Sequence, residues 1–174
     1  HSFQTDNGGE IPKMESIPDS AQISSSFDYR KGDYLFDQLD VQADFSDGTR
    51  LLKMNGFKRS YAGSFGQYVQ PEEILTPNQQ SYRLDYLTSF DTEKVQASVA
   101  HFVTNSGLPD SIMNGHHENI TTVAGISYSK TDTAKTFQVF GSQFNQERRV
   151  ELSSIFTYLN RTHLHFRWTW NAYK

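Results

Sequence analysis

The chain contains no cysteine. Disulfides, thiolate metal sites and a cysteine nucleophile are therefore excluded, while the redox compartment stays open. It also lacks any run of about 18 apolar residues, so no transmembrane helix can be drawn. Membrane strands remain open, because their signal per segment is much weaker. A basic excess is missing too: the net charge is −4 and the pI near 5.8, which argues against a nucleic-acid partner. Hydrophobic residues reach only 36%, low for a globular domain. The 174 residues suit one domain. The chain opens on His1 rather than Met, so we expect an upstream segment to have been removed.

Aromatic residues, by contrast, are plentiful: 14%, with 13 Phe and 9 Tyr. A disordered chain would be poor in them. Set among many Ser, Thr, Gln and Asn residues, they suggest a β-protein with one polar face. "THLHFRWTWNAY" (162–173) shows the pattern most clearly. Leu164, Phe166, Trp168, Trp170 and Ala172 share one parity, and His163, His165, Arg167, Thr169 and Asn171 the other. Successive strand side chains point to opposite faces, so this stretch has an apolar side and a wet side.

Residues 1–20 carry two prolines, a glycine pair and no periodicity, and read as an extension or linker. From Ala21 to Lys174 the pattern is that of a single β-barrel domain of about eight or nine strands. Ile23, Ser25, Phe27 and Tyr29 open the first. Leu35, Asp37, Leu39, Val41, Ala43 and Phe45 alternate against Phe36, Gln38, Asp40, Gln42 and Asp44 in the second. Ser46–Thr49, "SDGT", is a hairpin signal. "RLLKMNGFKRSY" follows, with Asn55-Gly56 a candidate bulge. Further strands are "SYRLDYLTSF", "VQASVAHFVT", "ITTVAGISYSK", "TFQVFGSQF", "VELSSIFTYL" and the 162–173 stretch. All five prolines fall outside these strands, as a hydrogen-bonded ladder requires. No 20–50-residue repeat is evident.

Connection lengths alternate. The even connections, "DG", "DTE", "TDTA" and "NR", are tight. The odd ones are "KGD", 62–80, 105–119 and "NQERR". In an up-and-down meander this puts short turns at one end and long loops at the other, the asymmetry of outer-membrane barrels. The polar parity is mostly Ser, Thr, Gln, Asn and Gly, and the apolar parity carries few charges between strand ends. Strands of about 9–11 residues suit a tilted membrane crossing. Tyr158, Trp168, Trp170 and Tyr173 lie toward strand ends, where interfacial aromatics sit.

The segment "SYRLDYLTSFDTEKVQASVAHFVTNSG" (81–107) resembles a hairpin of Gram-negative outer-membrane porin-like barrels, and "FDYRKGDYLFDQLDVQADFSDGTRLLKMNGFKRSY" (27–61) has the same texture. The chain is also similar to barrels that sheathe multihaem cytochromes. The resemblance is one of texture and covers most of 21–174. It implies the fold and an outer-membrane location, and assigns no functional residue. Nine strands is an odd number, whereas bacterial single-chain barrels have even ones. Either the first strand belongs to the extension or, preferably, the chain is a segment of a larger barrel.

Other motifs carry little. His163 and His165 share a strand face, but no third ligand accompanies them. His116-His117 beside Glu118 reads as a solvated loop, and Arg148-Arg149 as a solvated turn. Asp40 and Asp44 share a face with Gln38 and Gln42, while Asp37 does not. Together with Asp47 they form no argued catalytic pair. "GSFG" at 63–66 lacks the spacing and lysine of a phosphate loop. Asn119-Ile-Thr121 and Asn160-Arg-Thr162 match the glycosylation pattern, which is short enough to arise by chance.

The expectation is an antiparallel up-and-down meander forming a transmembrane β-barrel or part of one. It would be no enzyme and hold no cofactor or metal, with lipid as its surroundings. A hydrophilic lumen would pass small solutes or house a partner protein or other barrel segments. Arg83, His163, His165 and Arg167 are the candidate lumen residues. The alternatives are a secreted soluble module, lipocalin-like barrel or sandwich, binding through loops 62–80 and 105–119, and a sheath for a multihaem electron-transfer partner.

Overall fold

In a computed structural model, residues 16–33, 36–60, 78–107, 115–152 and 155–172 are described. They form eight strands: β1 Gln22–Lys31, β2 Asp37–Ser46, β3 Arg50–Ser60, β4 Asn78–Phe90, β5 Glu93–Gly107, β6 Gly115–Asp132, β7 Lys135–Leu152 and β8 Ile155–Ala172. Each pairs antiparallel with the next in one sheet of order β1 to β8. The sheet is not closed into a barrel: β1 and β8 are its two edges.

The count is eight, the lower of the two expected numbers. Asn145–Arg149 and Asn160–Thr162, read as turns from their polarity, lie inside β7 and β8, where Asn145–Glu147 pair with Asn160–Thr162. The connection between those strands falls at 153–154 instead. A polar run marks a turn only if one face of the strand must be dry. Here both faces of the β7 and β8 extensions are wet. The candidate bulge is also absent: Asn55 and Gly56 pair one-to-one with Arg83 and Tyr82. A Cβ at Gly56 would meet the Tyr82 ring at 3.8 Å, an ordinary contact distance.

The tight end is made by 47–49, Asp91-Thr92 and Thr133-Ala134. At the first of these, Gly48 adopts φ 89°, which only glycine takes without strain. Asp47 fastens that turn: its Oδ1 accepts from the Thr49 and Arg50 amides at 2.9 and 2.7 Å. Those backbone bonds hold its carboxyl below the usual range. At the opposite end the connections are 32–36, 61–77, 108–114 and 153–154. The long loops therefore share one end, as the spacing predicted. The "GSFG" stretch and most of both predicted binding loops lie outside the described residues.

Cross-strand pairing sorts the side chains into two faces. One, the apolar face, carries Ile23, Phe27 and Tyr29 (β1), Leu39 to Phe45 at odd positions (β2) and Leu52 and Met54 (β3). It continues through Tyr82, Leu84 and Tyr86 (β4), Val95, Ala97 and Val99 (β5) and Ala124, Ile126 and Tyr128 (β6). Phe137 and Val139 (β7) and Leu164 to Ala172 at even positions (β8) complete it. Among the described residues, all but one of the exposed large apolar side chains belong to this face, the exception being Leu159. The buried apolar residues, Leu51, Leu87, Ala100 and Phe140, all belong to the other, polar face. The sheet is thus inside-out by the standard of a soluble domain. Phe27, Phe166, Trp168 and Trp170 are 71, 69, 66 and 60% exposed. At about 200 Å² per aromatic side chain, the three neighbours on β8 alone expose roughly 400 Å², which matches the largest apolar patch on an ordinary monomer.

Candidate functional site

The polar face is ordered in rows across the sheet. In the central row Asp44, Lys53, Asp85, Ser98, Gly125, Ser142 and His165 follow one another by register. Lys53, which sequence could not place, stands between two carboxylates. Asp85 is 3% exposed, and a buried carboxylate needs partners. It has them: Arg83 Nε lies 2.6 Å from Oδ2, Nη2 donates to Oδ1 at 2.9 Å, and Ser98 Oγ donates to Oδ1 at 2.6 Å. The candidate Arg83 is therefore committed to a structural ion pair on this face. Toward β1, Asp28 and Asp40 oppose each other directly. Arg30 Nε and Gln38 Nε2 donate to them at 3.0 and 2.7 Å and offset the repulsion.

At the other edge, Arg161, His163, His165 and Arg167 follow one another along the polar face of β8, over Phe144 and Phe140 of β7. The Arg161 guanidinium is 5.8 Å from the Phe144 centroid, and that of Arg167 5.9 Å from Phe140. The His163 and His165 rings lie 6.2 and 5.7 Å from the same two phenylalanines. His165 Nδ1 is enclosed and meets no hydrogen-bond partner among the described residues. Arg161 was missed because "NRT" reads as a turn, although its parity matches His163 onward. Phe140 and Phe144 were missed because an aromatic on the wet parity looks like noise until its partner strand is known.

The two histidines, then, share a face and a neighbourhood of aromatics. Among the described residues no group of three or more His, Asp or Glu gathers as a metal site. Asp37 lies on the opposite face from Asp40 and Asp44, as its spacing predicts. Arg148 and Arg149 are strand residues rather than a turn. Arg148 Nε donates to His117 Nε2 at 3.0 Å. Burial, and secondarily Arg148, hold that imidazole below its usual pKa. Arg149 reaches Glu147 and Glu118 at 3.1 and 3.7 Å on the other face. Asn119 and Asn160 are mid-strand, and Asn119 Oδ1 accepts from Gln146 at 2.8 Å.

The apolar face has margins. Tyr128, Phe137 and Trp170 stack edge-on at 6.5 and 6.3 Å toward the tight-turn end, with Lys135 Nζ 6.0 Å from the Trp170 ring. Lys130 and Glu93 close the margin with a 2.7 Å ion pair. Trp168 lies one position in from Trp170 on this face. Tyr158 falls elsewhere, beyond the apolar band near the loop end, where its hydroxyl donates to Glu147 at 2.7 Å. Tyr173 lies outside the described residues. Midway, Ala97, Ala124 and Gly141 floor an apolar groove of about 600 Å³ between Tyr86 and Phe166.

The chain was compared with protein-family models, curated proteins and solved structures, and no match was found.

Proposed function

We propose that this sheet is part of the wall of an outer-membrane, porin-like barrel, with the apolar face in lipid and the polar face lining a lumen for small hydrophilic solutes. One observation carries the reading: exposed large apolar side chains collect on one face and the buried apolar residues lie on the other. Water would penalise this arrangement. Hydrocarbon reverses the sign, at roughly 25 cal/mol per Å² of apolar surface removed from water. The aromatic and lysine margin beside the tight turns suits a headgroup boundary. A soluble sandwich needs a second layer over the apolar face, and among the described residues no element packs there.

In the bilayer the free edges of β1 and β8 must be paired, since an unsatisfied backbone group there costs several kcal/mol. Eight antiparallel strands leave these edges able to pair with each other or with further strands of the same pattern. Eight strands closed alone would fill their own interior, so passage of solutes calls for the wider assembly.

The only two tryptophans, Trp168 and Trp170, both lie on the apolar face, so emission from the reconstituted protein reports on that face alone. Brominated acyl chains should quench it strongly and aqueous iodide weakly. Iodide quenching that persists in vesicles, with bromolipid inert, would overturn the reading.

A further inference from the structure

The charges on the polar face are not spread evenly. On β1–β4 that face carries Asp28, Asp40, Asp44 and Asp85 together with Arg30, Lys53, Arg59 and Arg83, a balanced set. On β5–β8 it carries Lys94, Arg148, Arg161 and Arg167, with His117, His163 and His165, and among the described residues no carboxylate at all. Those strands are not short of acids. Glu93, Glu118, Asp132, Glu147 and Glu151 are all there, and every one falls on the opposite face, outside the apolar band. Cations on that opposite face are matched, as in Lys130 with Glu93 and Arg149 with Glu147 and Glu118.

We propose that the polar face of β5–β8 is a lane for small anionic solutes, carboxylates and inorganic anions alike. The inference deepens the lumen reading and rests on it. The guanidinium groups of Arg161 and Arg167 stand over phenylalanine rings, whose faces orient a cation. Ser127, Ser129, Ser142 and Thr121 on the same face supply hydroxyls to an anion shedding water. Arg148, Arg161 and Arg167 span the lane along the strand direction, from the loop end past its middle, so an anion moving down it would pass from one cation to the next. Low-dielectric walls focus such a field rather than dissipate it.

The test is the reversal potential of the reconstituted protein in planar bilayers across a potassium chloride gradient. A mean lumen potential of only one kT enriches chloride and depletes potassium e-fold each, about a sevenfold permeability ratio. That ratio should fall toward one in the Arg161→Gln/Arg167→Gln double variant. It should stay in Arg149→Gln, which removes the same kind of charge from the opposite face. Acetate or phosphate replacing chloride should still carry current. Conductance with potassium preferred, or a chloride preference indifferent to the double variant, would overturn the anion lane and leave the lumen standing. No conductance from protein shown by bromolipid quenching to be inserted, and by cross-linking to have assembled beyond a single chain, would overturn the lumen, and the lane with it.

Discussion

Replacing Ile126 by arginine separates lipid from water at a single residue. Ile126 sits midway along the apolar stretch of β6, 57% exposed, with only Ala97 and Gly141 directly opposite it on the neighbouring strands. Little packing is lost on truncation, so in water the change should stay within about 0.5 kcal/mol, as for surface substitutions generally. In a bilayer the same guanidinium enters hydrocarbon near the midplane, which costs about 2–4 kcal/mol on a barrel's outer face. At 1.4 kcal/mol per tenfold, that is roughly a 30- to 1000-fold drop in the folding equilibrium constant. The assay is reversible urea or guanidinium unfolding in lipid vesicles. Two companions fix the interpretation. Ala172→Arg, at the margin by Lys135, should cost at most about 1 kcal/mol because depth is small there. Ser127→Arg, one residue along and facing the polar side, should cost little because it enters a wet space. An Ile126→Arg variant as stable as its parent, or Ser127→Arg proving the costlier of the two, would refute the assignment of faces.

Ser98→Ala removes a 2.6 Å hydrogen bond to the buried Asp85 carboxylate, and should cost about 2 kcal/mol in the same unfolding assay. A neutral result would mean that water replaces the hydroxyl there. Gly48→Ala forces a side chain into φ 89°, with its Cβ 3.4 Å from the Asp19 carbonyl oxygen. A loss of about 1–2 kcal/mol is expected, and an unchanged midpoint would show that the turn relaxes freely. Asp47 gives a pH dependence. Its native pKa is lowered, so its contribution is whole above the unfolded value near 3.8 and disappears as pH falls through the lower native value. Stability of Asp47→Asn should accordingly fall less steeply than that of the parent below about pH 4. Parallel acid limbs would count against the capping role of this carboxylate.

Strand identity was legible wherever one face had to be dry. Residues 95–99 and 164–172 alternate so strictly that the face follows from parity alone. Legibility stopped where both faces are wet. Glu147 and Arg149 of β7 oppose Asn160 and Tyr158 of β8 across a ladder that sequence alone splits into two turns. The same limit hid Arg161, and with it the continuity of the β8 cation row. The faces of the third strand were hard to read for a different reason: Leu51 and Leu52, adjacent and both apolar, lie on opposite faces. Leu51 is 3% exposed under the polar face, a burial no periodicity announces. The Asp85 pocket was equally silent, since Arg83, Asp85 and Ser98 meet only once β4 and β5 are in register.

The apolar band itself argues for a crossing at an angle. If the strands stood upright in the bilayer, the band would follow one set of rows from β1 to β8. Ile23, Phe45, Leu52, Tyr86, Ala97, Ile126, Gly141 and Phe166 form one such row. At β1 the band runs from that row toward the loop end, through Phe27 to Tyr29. At β8 it runs mainly the other way, through Trp168 to Trp170, and His101, Thr122, Asn145 and Thr162 have taken over the positions opposite Phe27's row. A layer of constant depth cuts rows on the slant only when strands are tilted against it, as closure of a sheet into a barrel demands. Val103 and Ile120 keep Tyr29's row apolar midway, yet a soluble sheet with a chance apolar patch has no reason to move the weight of that patch from the loop end at β1 to the tight turns at β8. On the proposed membrane reading, the slant also accounts for β6, β7 and β8 continuing past the band at the loop end: their crossing would finish nearer the tight turns, and the remaining polar length would stand clear of the lipid.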